Sequence, residues 1–209
     1  MILIGQYDSP YVRRVGITLR LYGMPYEHRN WSVWRDAEQI ATYNPLRRVP
    51  TLVLDDQSVL VDSFVILDAL DELMGRKRAL LPAEGPLRRE GLRISALCTG
   101  MADKAVSLMY ETLFRPNPSQ VWMERCRRQI QDTAELLERD RAARHTPHWL
   151  GDALSHADVA LACGYRFVSE AHPGLLEPEK LPALAAQTAR CEALPEFQAV
   201  YQPIINNIS

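Results

Sequence analysis

The chain has 209 residues, of which 47% are hydrophobic and 24% are charged, and its formal net charge at pH 7 is -2. This amount of apolar side chain suffices for a sizeable core in one large domain or two small ones. A charge this close to zero gives no electrostatic reason to expect nucleic acid or an acidic membrane surface as a partner. The sequence contains no internal repeat or low-complexity tract, which excludes solenoid and disordered architectures.

The region up to Gly75 alternates short apolar runs with segments of helical period, which is typical of a layered α/β domain. Residues 1–5 predict a strand. Ser9 then supplies a helix N-cap and Pro10 a proline at the first helical position, and apolar side chains recur at helical spacing until Gly23. A helix is therefore expected directly after the first strand.

Further short elements complete this first domain. Strands are predicted at residues 26–30, 51–54 and 59–61, and a short helix at residues 36–43. Asp62 and Ser63 open a last helix, whose apolar stripe ends at Gly75. The predicted order of elements is βαβαββα, and we assign it to an α/β domain over residues 1–76.

Glycine, proline and basic residues between Gly75 and Pro86 predict a linker. Beyond this linker helical periodicity dominates and no segment has a convincing strand pattern. Helices are predicted at residues 87–114, 118–144, 155–170, 181–193 and 195–201. We therefore expect an all-α helical C-terminal domain over residues 86–209.

Neither the cysteines nor the histidines predict a metal site. The four cysteines are widely spaced, form no C-x-x-C pair and lie in apolar helical segments, so we expect reduced core thiols. His145 and His148 are three residues apart, but Pro147 interrupts the helix that a zinc-binding pair normally uses.

The sequence also lacks the signals of a membrane or exported protein. No stretch of about 18 uncharged apolar residues occurs, and the start of the chain has no basic segment followed by a long apolar run. We therefore expect a cytoplasmic protein that has no membrane partner.

Ser9 occupies a position suited to an anion. A serine at a helix N-cap can point its hydroxyl proton at a nearby negative charge, and the helix N-terminus adds roughly half a positive charge. A ligand thiol with a pKa of about 8.5 becomes mostly thiolate near pH 7 if its pKa falls by about two units, which corresponds to about 2.7 kcal/mol. One charge-assisted hydrogen bond and the helix dipole can supply this amount. The alternative is that Ser9 only caps the helix.

Two further positions lie at the ends of predicted elements. Pro50 enters a strand, so it is either an edge device or part of a cis peptide that turns the backbone N–H and C=O of Val49 outward, where an extended peptide could pair with them. The helix start at Ser63 can receive a carboxylate, and Asp62 beside it can attract an ammonium group. A plain helix cap would explain Ser63 equally well, and an ordinary surface acid would explain Asp62.

These motifs, in this order and spacing, resemble the bacterial glutathione S-transferase family. The resemblance is carried by residues 9–14, residues 44–52, the pair Asp62 and Ser63, and residues 154–160, where Ser155 and Asp158 form a capping box. It spans nearly the whole chain. It implies a thioredoxin-like N-terminal domain that binds glutathione, followed by the helical domain, with glutathione as co-substrate and no metal.

The resemblance also implies roles for individual residues. Ser9 matches the residue that donates a hydrogen bond to the glutathione thiolate in serine-type members. Val49, beside a cis-Pro50, matches the residue that pairs with the cysteinyl backbone. Asp62 and Ser63 match the pair that holds the γ-glutamyl end, although the family often has Glu where this chain has Asp.

Other assignments by resemblance are less specific. Arg48 matches a residue that approaches the glycyl carboxylate. Tyr7 and Tyr11 are alternatives to Ser9 for the thiol, because tyrosine-type members exist. Residues that could line an electrophile pocket, with core packing as the alternative for the helical ones, are Tyr11, Met101, Met109, Tyr110, Phe114 and Trp122.

The implied activity is a glutathione transferase that activates glutathione as a thiolate, for conjugation to electrophilic small molecules in detoxification or for reduction of a peroxide. A glutathione-dependent isomerase or dehalogenase would use the same nucleophile. A non-catalytic binding member of the same fold is a third possibility. Family members usually pair as homodimers, which is the expectation for this chain.

Overall fold

The computed structural model describes residues 1–204 of the chain. These residues divide into two compact units, one formed by Met1–Ala83 together with the segment from Leu194 onward, the other by Glu84–Ala193. The strands are β1 (Ile2–Ile4), β2 (Glu27–Arg29), β3 (Thr51–Val53) and β4 (Val59–Val61). The helices of the first unit are α1 (Pro10–Leu21), α2 (Ala37–Ala41), α3 (Ser63–Met74) and α8 (Pro195–Gln198). Those of the second are α4 (Pro86–Phe114), α5 (Gln120–Ala142), α6 (His156–Ala171) and α7 (Pro182–Glu192).

The four strands form one mixed sheet in the order β2-β1-β3-β4. β1 pairs in parallel with β2 and antiparallel with β3, and β3 pairs antiparallel with β4 in the predicted hairpin. Leu3, Ile4 and Leu52 are fully buried in the two central strands. Ile40 of α2 packs with Ile4 and Val53, so the short helix closes part of this core. The predicted order βαβαββα is confirmed.

The boundary of the first unit lies beyond the predicted one because residues after Gly75 are anchored to α1. The hydroxyl of Tyr22, which follows α1, donates to the Asp71 carboxylate and accepts from the backbone N–H of Leu80 at 2.8 Å. Leu81 is buried. The segment from residue 77 to 83 therefore packs with the first unit, although its composition is that of a linker.

The end of the described chain also differs from the sequence-based division, which placed it in the helical domain. Phe197 and Val200 are fully buried, and the backbone oxygens of both accept hydrogen bonds from the Arg13 side chain of α1. Two buried apolar side chains and a buried guanidinium tie this segment to the first unit. The helical period of the segment gave no indication of which unit it joins.

The second unit is built of helices only, as predicted. At Gly164 of α6 a Cβ would lie 2.8 Å from the backbone oxygen of Cys98 in α4, so glycine permits these helices to approach closely. The predicted capping box is present at the start of α6, where the fully buried Asp158 accepts hydrogen bonds from the backbone N–H and the hydroxyl of Ser155. The four cysteines are buried thiols.

Acidification is expected to destabilise the protein in part through His28. Burial lowers the pKa of His28, whose ring packs on Tyr7 and whose Nε2 lies 2.7 Å from the Gly5 oxygen. In the unfolded chain the imidazole of His28 has a pKa of about 6.5. Between the two pKa values the unfolded state therefore holds more protons, so the free energy of unfolding is largest above about pH 6.5 and falls as the pH drops below it.

Urea unfolding at about pH 7.5 and at about pH 5.5 measures this effect. His28→Gln, which keeps a donor for the Gly5 oxygen but does not titrate, should lose less stability on acidification than the parent protein. The exposed His145 offers the matched control, since His145→Gln should leave the loss unchanged. A parent-like loss in His28→Gln would contradict the assignment.

Candidate active site

Ser9 is the N-cap of α1, as predicted. Its backbone is extended, its side-chain oxygen accepts from the Val12 N–H at 3.4 Å, and Pro10 follows at the first helical position. The side chain is partly exposed. This bond uses a lone pair of the oxygen and leaves the hydroxyl proton available, so the hydroxyl can donate to a negative charge in front of the 12-residue helix.

Gly5 is packed between the first turn of α1 and the loop that precedes β3. Its φ is +129°, and a Cβ built there would lie 2.6 Å from Cγ2 of Val12 and 2.8 Å from Cβ of Val49. No side chain fits at these distances. The close approach at Gly5 therefore places the start of α1, which carries Ser9, beside Val49.

The peptide bond between Val49 and Pro50 is cis. The loop before it is organised by the buried Asn44, whose Nδ2 donates to the backbone oxygen of Arg48 at 2.9 Å and whose Oδ1 accepts from the N–H of Leu46 at 3.0 Å. Among residues 1–204, the backbone N–H and C=O of Val49 have no hydrogen-bond partner. This edge of the first unit can therefore accept an extended peptide. Arg48 is exposed.

Asp62 and Ser63 form the start of α3. Asp62 is exposed, has a φ of +71°, and caps the helix by accepting from the Phe64 N–H at 2.8 Å. Ser63 is the first residue of the helix and is buried. Its Oγ lies 3.5 Å from Nη1 of Arg14, a buried guanidinium that also stacks over the Phe64 ring at 4.5 Å. A fixed positive charge thus lies at a helix N-terminus, an arrangement that favours a carboxylate.

The Tyr7 hydroxyl is engaged by the hydroxyl of Tyr26. It lies 2.7 Å from the Tyr26 hydroxyl, the ring is stacked on His28, and a Cβ at Gly16 would lie 2.7 Å from the ring edge. Burial, with a smaller contribution from the Tyr26 hydrogen bond, raises the pKa of Tyr7 well above its usual value. Of the two tyrosine alternatives, Tyr11 in the first turn of α1 is partly exposed.

The helical residues expected near an electrophile differ in their exposure. Met101 is buried, and its methyl carbon lies 3.8 Å from the Cβ position of Gly164, so it packs in the core between α4 and α6. Met109 and Tyr110 are partly exposed, and the Tyr110 ring contacts Phe114 edge-on at 5.3 Å. Trp122 lies 5.8 Å from Nζ of Lys104. Core packing therefore accounts for Met101, whereas the others are accessible within their own unit.

Within residues 1–204, no group of three His, Cys, Asp or Glu side chains is placed to hold a metal ion. His148 instead faces Asp158, with its Nδ1 3.8 Å from a carboxylate oxygen. None of the helices described in this part of the chain combines the length and apolarity that crossing a bilayer requires.

Gly5 and Arg14 contact the candidate site, and neither is a predicted site residue. Gly5 is the last residue of the first predicted strand, and Arg14 lies within the residues 9–14 that carry the family resemblance. A positive φ after a strand leaves no sequence signal beyond the glycine itself. Arg14 lies in the run from Val12 to Leu19 of α1, in which every residue is buried, and a charged side chain in such a run requires a partner.

A serine-capped first helix beside a cis-proline loop, on a βαβαββα unit followed by a helical unit, defines a thioredoxin-like domain joined to an all-helical one. Family models identify this combination. The glutathione S-transferase N-terminal domain matches residues 8–73 and the glutathione S-transferase C-terminal domain matches residues 120–190. The chain belongs to the glutathione S-transferase family.

Individual relatives agree with this assignment. The uncharacterized GST-like protein YibF of Escherichia coli is 31% identical over 181 residues, which span 83% of this chain and 86% of that protein. A Methylobacterium radiotolerans glutathione S-transferase in complex with glutathione sulfonate has a TM-score of 0.89 at 29% identity and covers 98% of this chain and 97% of its own. A glutathione transferase family member from Pseudomonas fluorescens with bound glutathione has a TM-score of 0.83 at 28% identity, with coverages of 97% and 99%.

Proposed function

We propose that this glutathione transferase holds glutathione on its first unit, with the sulfur at Ser9, and activates it as a thiolate. The observation that carries the proposal is the partly exposed Ser9 hydroxyl at the N-terminus of α1, held beside the Val49 loop by the contact at Gly5. The hydroxyl and the helix dipole both stabilise a negative charge in this place. Structural relatives with 28% and 29% identity carry glutathione or its sulfonate, which supports the choice of ligand.

The rest of the tripeptide is assigned to the neighbouring groups. The backbone N–H and C=O of Val49 pair with the cysteinyl backbone of glutathione as an added strand does. Arg48, exposed at the same loop, approaches the glycyl carboxylate. The N-terminus of α3, with the Ser63 hydroxyl and the Arg14 guanidinium, receives the γ-glutamyl carboxylate, and Asp62 attracts its ammonium group.

The thiolate would then attack an electrophilic carbon, so that a sulfur–carbon bond forms as the leaving group departs with its electron pair. Tyr11, Met109 and Tyr110 are candidates for contact with the electrophile, since each is partly exposed within its own unit. Met101 is not a candidate, because it fills the helical core. Peroxide reduction by the same thiolate is the second reaction to test.

Calorimetric titration with glutathione, followed by a panel of model electrophiles and peroxides, tests the proposal. We expect glutathione to bind with an affinity that rises with pH as the bound thiolate forms, and we expect the affinity of S-methylglutathione, which cannot ionise at sulfur, to show no such rise. No binding of either ligand to the intact protein would refute the proposal.

Tyr7→Phe should leave thiol activation unchanged. The variant removes a hydroxyl that is occupied by Tyr26 and retains the ring that packs against Gly16. We expect kcat/KM with a model electrophile to change by less than about twofold and the pKa of the bound thiol to stay constant, as for a hydroxyl outside the reaction. A loss of about tenfold or more would transfer the role of Ser9 to Tyr7.

Asp62→Asn should weaken glutathione binding by about tenfold, which is the range of one hydrogen bond to a charged group. Asparagine can still cap α3 and tolerates the positive φ, so the variant removes the charge and keeps the local structure. Cysteinylglycine, which lacks the γ-glutamyl group, provides the comparison. Its affinity should be equal for the two proteins, and an equal loss for both ligands would exclude Asp62 from contact with the γ-glutamyl end.

The homodimer belongs to the same proposal. α3 exposes Val65 by 52% and Leu73 by 60%, two turns apart, so these apolar side chains are available for contact with a second copy. Sedimentation of the full chain at several concentrations tests pairing.

We further propose a cytoplasmic role in detoxification, to be tested by locating the tagged protein and by the sensitivity of a deletion strain to electrophiles.

A further inference from the structure

The described end of the chain lies outside both matched family domains, which cover residues 8–73 and 120–190, yet it packs with the first unit. Within this C-terminal segment, defined here as Leu194–Gln202, Phe197 and Val200 are fully buried. A Cβ at Gly16 of α1 would lie 3.4 Å from Cγ1 of Val200. The segment is therefore packed tightly against the helix that Ser9 begins.

Arg13 of α1 fixes the path of the C-terminal segment. Arg13 is 2% exposed, and its guanidinium donates through Nη2 to the Phe197 oxygen at 3.1 Å and through Nε to the Val200 oxygen at 3.4 Å. A buried guanidinium needs such acceptors, because an unsatisfied one would carry a large desolvation penalty. These bonds set the position of the residues that follow Val200.

Gln202 then reaches the loop in front of α1. Its side-chain oxygen Oε1 accepts a hydrogen bond from the backbone N–H of Tyr7 at 2.9 Å. Tyr7 lies in the turn closed by the hydrogen bond from the Ser9 N–H to the Gln6 oxygen at 3.2 Å. The side chain of a residue near the chain end thus holds the turn that delivers Ser9.

We propose that the C-terminal segment positions the Ser9 hydroxyl for the glutathione sulfur, with Gln202 as the positioning residue. This inference rests on the proposed function, since it concerns the same thiol. Displacement of the turn by a fraction of an ångström changes the length of a charge-assisted hydrogen bond and hence its strength. Gln202 itself touches no reacting atom and acts through the Tyr7 amide.

Two variants of the full chain separate the hydrogen bond from the shape of the side chain. Gln202→Glu retains an acceptor oxygen for the Tyr7 N–H, whereas Gln202→Met has similar length and offers no comparable acceptor. We expect Gln202→Met to raise KM for glutathione about fivefold, the change that corresponds to about 1 kcal/mol, and to raise the pKa of the bound thiol. Gln202→Glu should keep KM within about twofold of the parent.

Tyr201→Ala is the matched control, because this neighbouring side chain is 57% exposed. It should leave KM and the thiol pKa unchanged. Equal effects of the Met and Glu variants, or no effect of either, would overturn the inference. So would a rise in KM that accompanies an equal fall in melting temperature for all three variants, since that pattern marks a purely structural role.

Hydrogen exchange of the Tyr7 amide distinguishes this inference from the proposed function. Gln202→Met should lose protection at this amide without any ligand present. If the parent protein binds no glutathione while the amide responds as expected, the proposed function fails and the hydrogen bond is established. If the parent binds glutathione but the amide is equally protected in all variants, the inference about Gln202 fails by itself.

Discussion

Ser9→Ala is expected to raise the pKa of enzyme-bound glutathione by about one to two units and to lower kcat/KM about 10- to 100-fold near pH 6.5. The variant removes the N-cap hydroxyl of α1 and leaves the helix dipole in place. The loss should shrink as the pH rises above the thiol pKa of the variant, because the thiolate then forms without help. Ultraviolet absorbance of the bound thiolate, titrated over pH, measures the shift directly.

A matched control separates catalysis from helix capping. Ser119 caps α5 in the second unit in the same way as Ser9 caps α1, with its oxygen accepting from the Trp122 N–H at 3.3 Å. Both alanine variants should therefore lose similar stability, about 1 kcal/mol. Only Ser9→Ala should move the thiol pKa. If the thiol titrates identically in Ser9→Ala and the parent, Ser9 is a helix cap and nothing more.

Gly5→Ala is expected to destabilise the first unit by about 2–4 kcal/mol. The new methyl group would overlap Val12 and Val49, at 2.6 and 2.8 Å, and the φ of +129° is strained for any residue with a Cβ. Because relief of the overlap separates α1 from the Val49 loop, glutathione affinity should fall as well. Urea unfolding and calorimetric titration of the variant measure the two effects.

Gly151→Ala measures the cost of a positive φ without the steric overlap. Its φ of +144° is similar, but nothing lies within 4 Å of a Cβ built there. Gly151→Ala should therefore cost about 1 kcal/mol, close to the backbone contribution, and should not affect ligand affinity. Equal destabilisation by the two substitutions would show that the contact between Val12 and Val49 at Gly5 is looser than the structure indicates.

Local signals were sufficient for most elements of the first unit. Ser9 followed by Pro10 predicted the start of α1, and Asp62 followed by Ser63 predicted that of α3, because caps are specified by residues within one turn. The hairpin of β3 and β4 was also predicted, since its strands are separated by only a short turn. The strand order β2-β1-β3-β4 was not, because pairing between distant segments leaves no local pattern.

The site divides in the same way. The sequence predicted that Ser9, Val49 and Ser63 lie at the ends of secondary-structure elements. The cis peptide at Pro50 was expected only through the family resemblance. The contacts that bring these positions together were not predictable. They depend on Gly5, which lies where the first turn of α1 meets the Val49 loop, and on Arg14, whose guanidinium contacts Ser63. Both are packing relations between residues far apart in the sequence.

The sequence by itself determined the helix caps, the two kinds of domain and the family, because each depends on local residue patterns or on their order. Only the tertiary structure decided that the segment from Leu194 joins the first unit, that the Tyr7 hydroxyl is occupied, and that Met101 is core. These outcomes depend on which apolar and polar groups meet after folding. Burial and hydrogen bonding between distant residues are properties of the packed chain, and no local pattern encodes them.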